Sequence, residues 1–150
     1  MLKYRLLHPE LLRALGEAGH GARVLIADGN YPLATRSPER ARHVYLNLAP
    51  DLLRVTDVLD VLVDAIPVEA VHVMTPDAGE EPPVFAEFRG SLPGLELSPL
   101  GRFEFYDAAS APDVAVAIAT GERRIYANLL LTIGVVAPVT GTAADTSASA

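Results

Sequence analysis

The sequence contains no cysteine. Disulfide bonds, thiolate nucleophiles and cysteine-based zinc or iron–sulfur centres are therefore excluded, and a reducing compartment is compatible with the composition. Positive charge is also scarce: 12 Lys and Arg stand against 19 Asp and Glu, for a formal net charge of −7. Proteins that grip a phosphate backbone need clustered cations to displace counterions. Here the basic residues within 23–42 and 89–124 are scattered among acids. Nucleic acid and anionic membrane surfaces are disfavoured as partners, whereas a neutral ligand such as a sugar is permitted. No apolar run approaches the ~20 residues needed to cross a bilayer. Met1-Leu2-Lys3-Tyr4-Arg5 is not followed by the apolar stretch of a signal peptide, so the expected location is the cytoplasm.

Half of the 150 residues are apolar, enough for one well-filled core. His8-Pro9-Glu10 reads as a helix start, because proline suits the first helical position and an acid suits the positive end of the dipole. Leu11, Leu12, Leu15 and Ala18 continue it on one apolar face, and Gly19 reads as its terminator. Arg23 to Ala27 reads as a buried strand ending at Asp28, followed by a turn-rich Asp28-Gly29-Asn30-Tyr31-Pro32. Further strands are expected over 44–48, 69–74, 95–97, 114–120 and 129–136. Further helices are expected over 50–66, 84–89 and 102–109, the last with strand as its alternative. The alternation predicts an α/β domain, three-layer α/β/α, with a largely parallel, mixed central sheet. Residues 1–137 are expected to form this one domain. Pro138 to Ala150, all small or polar apart from Val139, are expected to be a disordered tail.

Several motifs are absent. Gly19-His20-Gly21 precedes a strand and lacks a third glycine, which argues against a dinucleotide site. No Walker-type loop and no Gly-x-Ser-x-Gly elbow occurs. His8, His20, His43 and His72 lack metal-ligand spacing, so neither a metal nor another cofactor is expected.

Four places carry candidate chemistry. His20 sits between glycines just past a helix end, where an imidazole with an ordinary pKa of ~6.5 can give and take a proton. On residue type alone, capping of the helix carbonyls is the weightier reading. Asp28 follows a hydrophobic strand, the end at which open α/β sheets bind ligands. An Asx-turn explains it equally well. Tyr126 and Asn128 lie two apart between apolar runs, and in extended backbone would point to one side, where a phenol and an amide can meet vicinal hydroxyls. A polar loop is the plainer reading. Arg102, in Arg102-Phe103-Glu104-Phe105-Tyr106, is by residue type most often a solvated surface cation.

Taken in order, Pro9-Glu10-Leu11-Leu12…Gly19-His20-Gly21, Asp28 to Pro32, Arg102-Phe103-Glu104-Phe105-Tyr106, Thr120-Gly121-Glu122…Tyr126-Ala127-Asn128-Leu129-Leu130-Leu131 and Gly134-Val135 resemble the fucose mutarotase and ribose pyranase family from about Leu7 to Val136. The Arg-Phe-x-Phe-Tyr setting is similar to the fucose branch. Asn30 departs from it, since a histidine often stands there. The resemblance implies a cofactor-independent enzyme that interconverts anomers or ring forms of a free monosaccharide such as L-fucose or D-ribose. It implies that His20 is the general acid/base and that Asp28, Arg102, Tyr126, Ala127 and Asn128 contact the sugar. It also implies a ring-shaped homo-oligomer, typically a decamer, with sites near subunit boundaries. The competing expectations are a sugar-binding module without catalysis, accessory to transport, and a nucleotide-binding α/β domain.

Overall fold

A computed structural model of the chain describes residues 1–141. In chain order the elements are α1 (Pro9–Glu17), β1 (Arg23–Ala27), β2 (Arg42–Tyr45), α2 (Val55–Ala65), β3 (Val68–Thr75), α3 (Val84–Ser91), β4 (Leu97–Gly101), α4 (Arg102–Ala109), β5 (Val114–Ala119) and β6 (Leu129–Ile133). The strands form one sheet in the order β2-β5-β1-β6-β3-β4. β1 and β2 each pair with β5 in parallel, and β3 pairs with β4 in parallel. β6 runs antiparallel between β1 and β3. Five strands therefore point one way and one strand opposes them, which is the mixed α/β sheet that the alternation predicts. Pro99 lies within β4, the strand at one edge.

The sheet carries a core on each face. One contains Val24, Ile26, Val71, Val73, Leu129 and Leu131, covered by Leu11 of α1, Leu59 and Leu62 of α2, and Phe85 and Phe88 of α3. The other contains Leu25, Ala27, Met74, Ala117 and Leu130, covered by Phe105, Tyr106 and Ala109 of α4 and by Tyr31 and Leu33 of the loop after β1. Alternation along β1 and β6 sends successive side chains into the two cores.

Local signals account for the helix that opens the fold. His8 caps α1, its Nδ1 accepting the Leu11 N–H at 3.3 Å, and Pro9 takes the first turn. The break after α1 is not made by a left-handed Gly19; the residue with positive φ is Gly21, at 82°. Its N–H donates to the Ile133 carbonyl and starts the β1–β6 ladder.

Three strands are displaced from their expected bounds. The second begins two residues earlier and stops at Tyr45, the fourth lies at Leu97–Gly101, and the last stops at Ile133. The larger correction concerns α2, which starts at Val55 and not at Pro50. Residues 49–53 spend their backbone hydrogen bonds elsewhere. The Gly121 N–H donates to the Leu53 carbonyl at 2.8 Å, the Leu53 N–H donates to Leu46 at 3.1 Å, and Asp51 has φ of 63°. Tertiary pairing with the loop after β5 thus competes successfully with helix propensity. Residues 138–141 carry neither helix nor strand, and the rest of the expected tail, 142–150, lies outside the described residues.

A Cβ at Gly121 would lie 2.9 Å from the Leu52 carbonyl oxygen, with the Ala49 carbonyl closer still. Both obstacles are backbone, so the 49–53 segment must move. Gly121→Ala is expected to destabilise the protein by about 1–3 kcal/mol, the range of overpacking changes, visible as a lower urea midpoint with an unchanged slope.

Candidate active site

The site is built where the ends of several strands meet. Asp28 leaves the C-terminal end of β1, and Asn128 stands just before β6, which runs the other way. One hundred residues apart in sequence, they exchange two hydrogen bonds. The Asp28 N–H donates to Asn128 Oδ1 at 2.7 Å, and Asn128 Nδ2 donates to Asp28 Oδ2 at 3.0 Å. Both residues are buried. The pairing fixes the amide orientation, because only the oxygen can accept the backbone N–H. Asp28 Oδ1 accepts the Asn30 N–H at 2.9 Å, so the Asx-turn is present as well. A carboxylate has about four lone-pair directions, leaving acceptor capacity for a ligand.

Burial pushes the Asp28 carboxyl above its ordinary value; the Asn30, Asn128, Tyr31 and Ala127 hydrogen bonds pull it back only in part. Ala127 is fully buried, and it is through its backbone that it meets Asp28.

A cavity of about 210 Å³ opens beside this pair, lined by Asp28, Asn30, Tyr31, Met74, Arg102, Tyr106, Ile125, Tyr126 and Asn128. Arg102 begins α4 directly after β4, and its Nε donates to the Tyr106 hydroxyl at 3.1 Å. Among the described residues no carboxylate lies within ion-pair distance of Arg102, so its remaining N–H groups are available. Its guanidinium also lies over the Phe103 and Tyr106 rings, 5.6 Å from each centroid. Tyr106 stands edge-on to Tyr31, whose hydroxyl donates to the Arg36 carbonyl at 2.8 Å. Tyr126 and Asn128 line the same cavity, but not through extended backbone. Tyr126 has φ of 60°, a left-handed turn that is uncommon for a bulky side chain. A larger open cavity of about 520 Å³ adjoins it at Asn30, lined also by Asn47, Thr120, Gly121 and Arg123. The smaller one gathers the buried, shifted carboxyl together with convergent polar groups, which marks it as the functional candidate.

His20 is elsewhere. β1 lies between it and Asp28, and six rises of ~3.3 Å separate Ala22 from Asp28, roughly 20 Å. Its Nε2 lies 3.0 and 3.2 Å from the two carboxylate oxygens of Glu69 at the start of β3, not on the carbonyls of α1. Both side chains are half exposed. One chain therefore gathers Asp28, Arg102, Tyr126 and Asn128, with the Ala127 backbone, and leaves His20 at the opposite end of the sheet.

Sequence reasoning missed Tyr106, Tyr31, Met74, Ile125 and Glu69. Tyr106 carried a local signal, since residues i and i+4 share a helix face and Arg102 was already a candidate. Glu69 is 49 residues from His20 and had none. Among the described residues no cluster of three or more His, Asp or Glu is placed to hold a metal, and no helix is long and apolar enough to cross a membrane.

The raised Asp28 pKa has a thermodynamic sign. The folded state holds this proton more tightly than the unfolded chain, so the associated stability is fully present below the ordinary carboxylate pKa and is lost as pH rises through the folded value. The unfolding free-energy gap between the parent protein and Asp28→Ala is expected to be largest at acid pH and to narrow towards neutrality. Urea titrations of both proteins across that range measure it.

The sequence pattern of the RbsD / FucU transport protein family matches residues 1–136. A fucose mutarotase of Bos taurus is 33% identical over an aligned 150 residues, covering 89% of this chain and 92% of that one. The crystal structure of the fucose mutarotase of Streptococcus pneumoniae in complex with L-fucose superposes with a TM-score of 0.77 at 26% identity, over 91% of this chain and 100% of that one. The structure of Bacillus subtilis RbsD complexed with D-ribose gives 0.76 at 26% identity, with the same coverage.

Proposed function

The chain belongs to the RbsD / FucU transport protein family, and from that premise we propose that it is a cofactor-independent monosaccharide mutarotase acting on a free sugar such as L-fucose or D-ribose. The observation that carries this reading is the convergence of Asp28, Arg102, Tyr126 and Asn128 on one small cavity. Relatives named fucose mutarotase, and sugar-bound neighbours of the same fold, support it. We place the protein in the cytoplasm.

Mutarotation breaks and remakes one hemiacetal bond. The anomeric hydroxyl loses its proton, the bond from the anomeric carbon to the ring oxygen breaks, and the ring oxygen gains a proton, leaving an open-chain aldehyde. Rotation about the neighbouring bond and reclosure of either face return both protons. Electrons and atoms balance without an oxidant. In our reading Asp28 takes the anomeric proton, a role suited to a carboxyl whose affinity for protons is raised by burial. Arg102, Tyr126 and the Asn128 amide, whose second N–H meets only the Met74 sulfur at 4.0 Å, orient the remaining hydroxyls, with the Ala127 backbone holding Asp28 in place.

His20 protonates the ring oxygen, and it must come from a second copy of the chain. A contact that joins the His20 end of one sheet to the cavity end of the next is head-to-tail, and such contacts make rings when the rotation between copies closes. Apolar surface is available at both ends: Val135 and Val136, 64% and 79% exposed, follow the Gly134 that packs on Glu69, and Ile125, 68% exposed, stands at the cavity. The assembly is a ring-shaped homo-oligomer, a decamer. Glu69 orients the imidazole presented to the neighbour.

His20→Ala is expected to slow anomer exchange of L-fucose or D-ribose by ~10²-fold or more, read by saturation-transfer NMR. A parent-like rate overturns the assignment, and sugar binding without exchange in the parent protein overturns catalysis itself. Because each site draws on two chains, refolding an equimolar mixture of His20→Ala and Asn128→Ala is expected to restore part of the activity that neither variant has alone. Mass measurement in solution tests the ring.

A further inference from the structure

Glu122 is a carboxylate with no exposed side-chain surface. It sits beside the sugar cavity without lining it, and the mechanism does not use it. Four donors converge on its two oxygens. Oε1 accepts the Arg124 N–H at 3.1 Å and Arg124 Nε at 2.9 Å, while Oε2 accepts Arg124 Nη2 at 2.9 Å and the Val55 N–H at 3.3 Å. Val55 is the first residue of α2, whose opening N–H groups have no partner within the helix. The remaining arm of Arg124, Nη1, reaches Glu87 of α3 at 2.5 Å. One guanidinium thus ties the loop after β5 to α3 and, through Glu122, to α2.

Only Ile125, Tyr126 and Ala127 separate this anchor from the next, Asn128, which is fixed by its double bond to Asp28. In the middle stands Tyr126 at φ of 60°. A left-handed conformation of a bulky residue persists only where its surroundings over-determine it. We infer that Glu122, through Arg124 and Glu87, is the positioning unit that holds Tyr126 in this conformation and so aims its ring into the cavity. Release of the anchor lets residues 125–127 relax to an ordinary backbone and turns the phenol away from bound sugar. Glu122 is a positioning residue, since it touches neither substrate nor the reacting atoms. The inference rests on the mutarotase reading for its effect on rate, and on backbone geometry alone for its effect on Tyr126.

The test uses Glu122→Gln and, as a second variant, Glu87→Gln, whose carboxylate is half exposed and so separable from the core. The scalar coupling and carbon shifts of Tyr126 report its φ by NMR, and anomer exchange is measured per folded molecule below the melting temperature. Glu122→Gln is expected to move the Tyr126 signature and lower kcat by about ten- to a hundredfold, the scale of a small misplacement of a reacting group. Glu87→Gln moves the signature in the same direction and lowers kcat by about two- to fivefold, and it decides the matter alone if Glu122→Gln does not fold. A lower melting temperature with an unchanged Tyr126 signature and unchanged kcat overturns the inference, because a merely structural brace would do that. If the signature moves in a protein whose parent form binds sugar without accelerating anomer exchange, the mutarotase reading falls while the positioning of Tyr126 stands.

Discussion

The exchange of hydrogen bonds between Asp28 and Asn128 is the constraint from which the cavity follows. It joins the end of β1 to the beginning of β6, two strands that run in opposite directions, and so closes the seam where the sheet would otherwise leave two loops apart. Both ends of the amide and one oxygen of the acid meet there, while the other oxygen accepts the Asn30 N–H. The carboxyl is thereby oriented but not neutralised, and burial without a cation is what raises its affinity for a proton. Elsewhere cations are spent on acids. Arg5 bridges Asp60 and Asp64, Arg13 and Arg42 share Glu17, and Arg123 holds Asp51. Arg102 leans on a phenol instead, which keeps a full positive charge at the mouth of a site in an acidic protein.

How much of this could be read from the chain depends on how far each cause lies from its effect. β1 was legible at both ends, and so were the bounds of α4, with strand the alternative to helix there, because their patterns and their stops are local. The start of α2 was not, since residues 49–53 answer to Gly121, some seventy positions away. Tyr126 and Asn128 do share a cavity, yet the reason offered, an extended backbone, was wrong: a left-handed turn brings them there, and nothing in Ile125-Tyr126-Ala127 announces one. The family resemblance supplied the grouping of Asp28, Arg102, Tyr126 and Asn128 that residue type alone left open. It was silent on the Glu69 carboxylate beside His20, a pairing between the approach to β1 and the start of β3, two strands that β6 separates in the sheet.

The direction of the strands divides labour between the two ends of the sheet. The end that carries Asp28, Met74 and Arg102 offers acceptors, a guanidinium and aromatic rings, while the opposite end carries an imidazole and a carboxylate half open to solvent. A cavity deep within one chain would need to gather all of these by burying several charges at considerable cost. Distribution over two ends leaves the imidazole and its carboxylate partner hydrated in the single chain, and only Asp28 bears the cost of burial there.

Pro99 has a bearing on how copies can meet. It lies in β4 at the border of the sheet, and a proline there has no N–H to offer an incoming strand. Lateral recruitment of a foreign β-segment, the route by which unprotected borders nucleate cross-β fibrils, is therefore interrupted on that flank. In the proposed ring, contact between copies falls instead at the strand termini, where it can close on itself and stop.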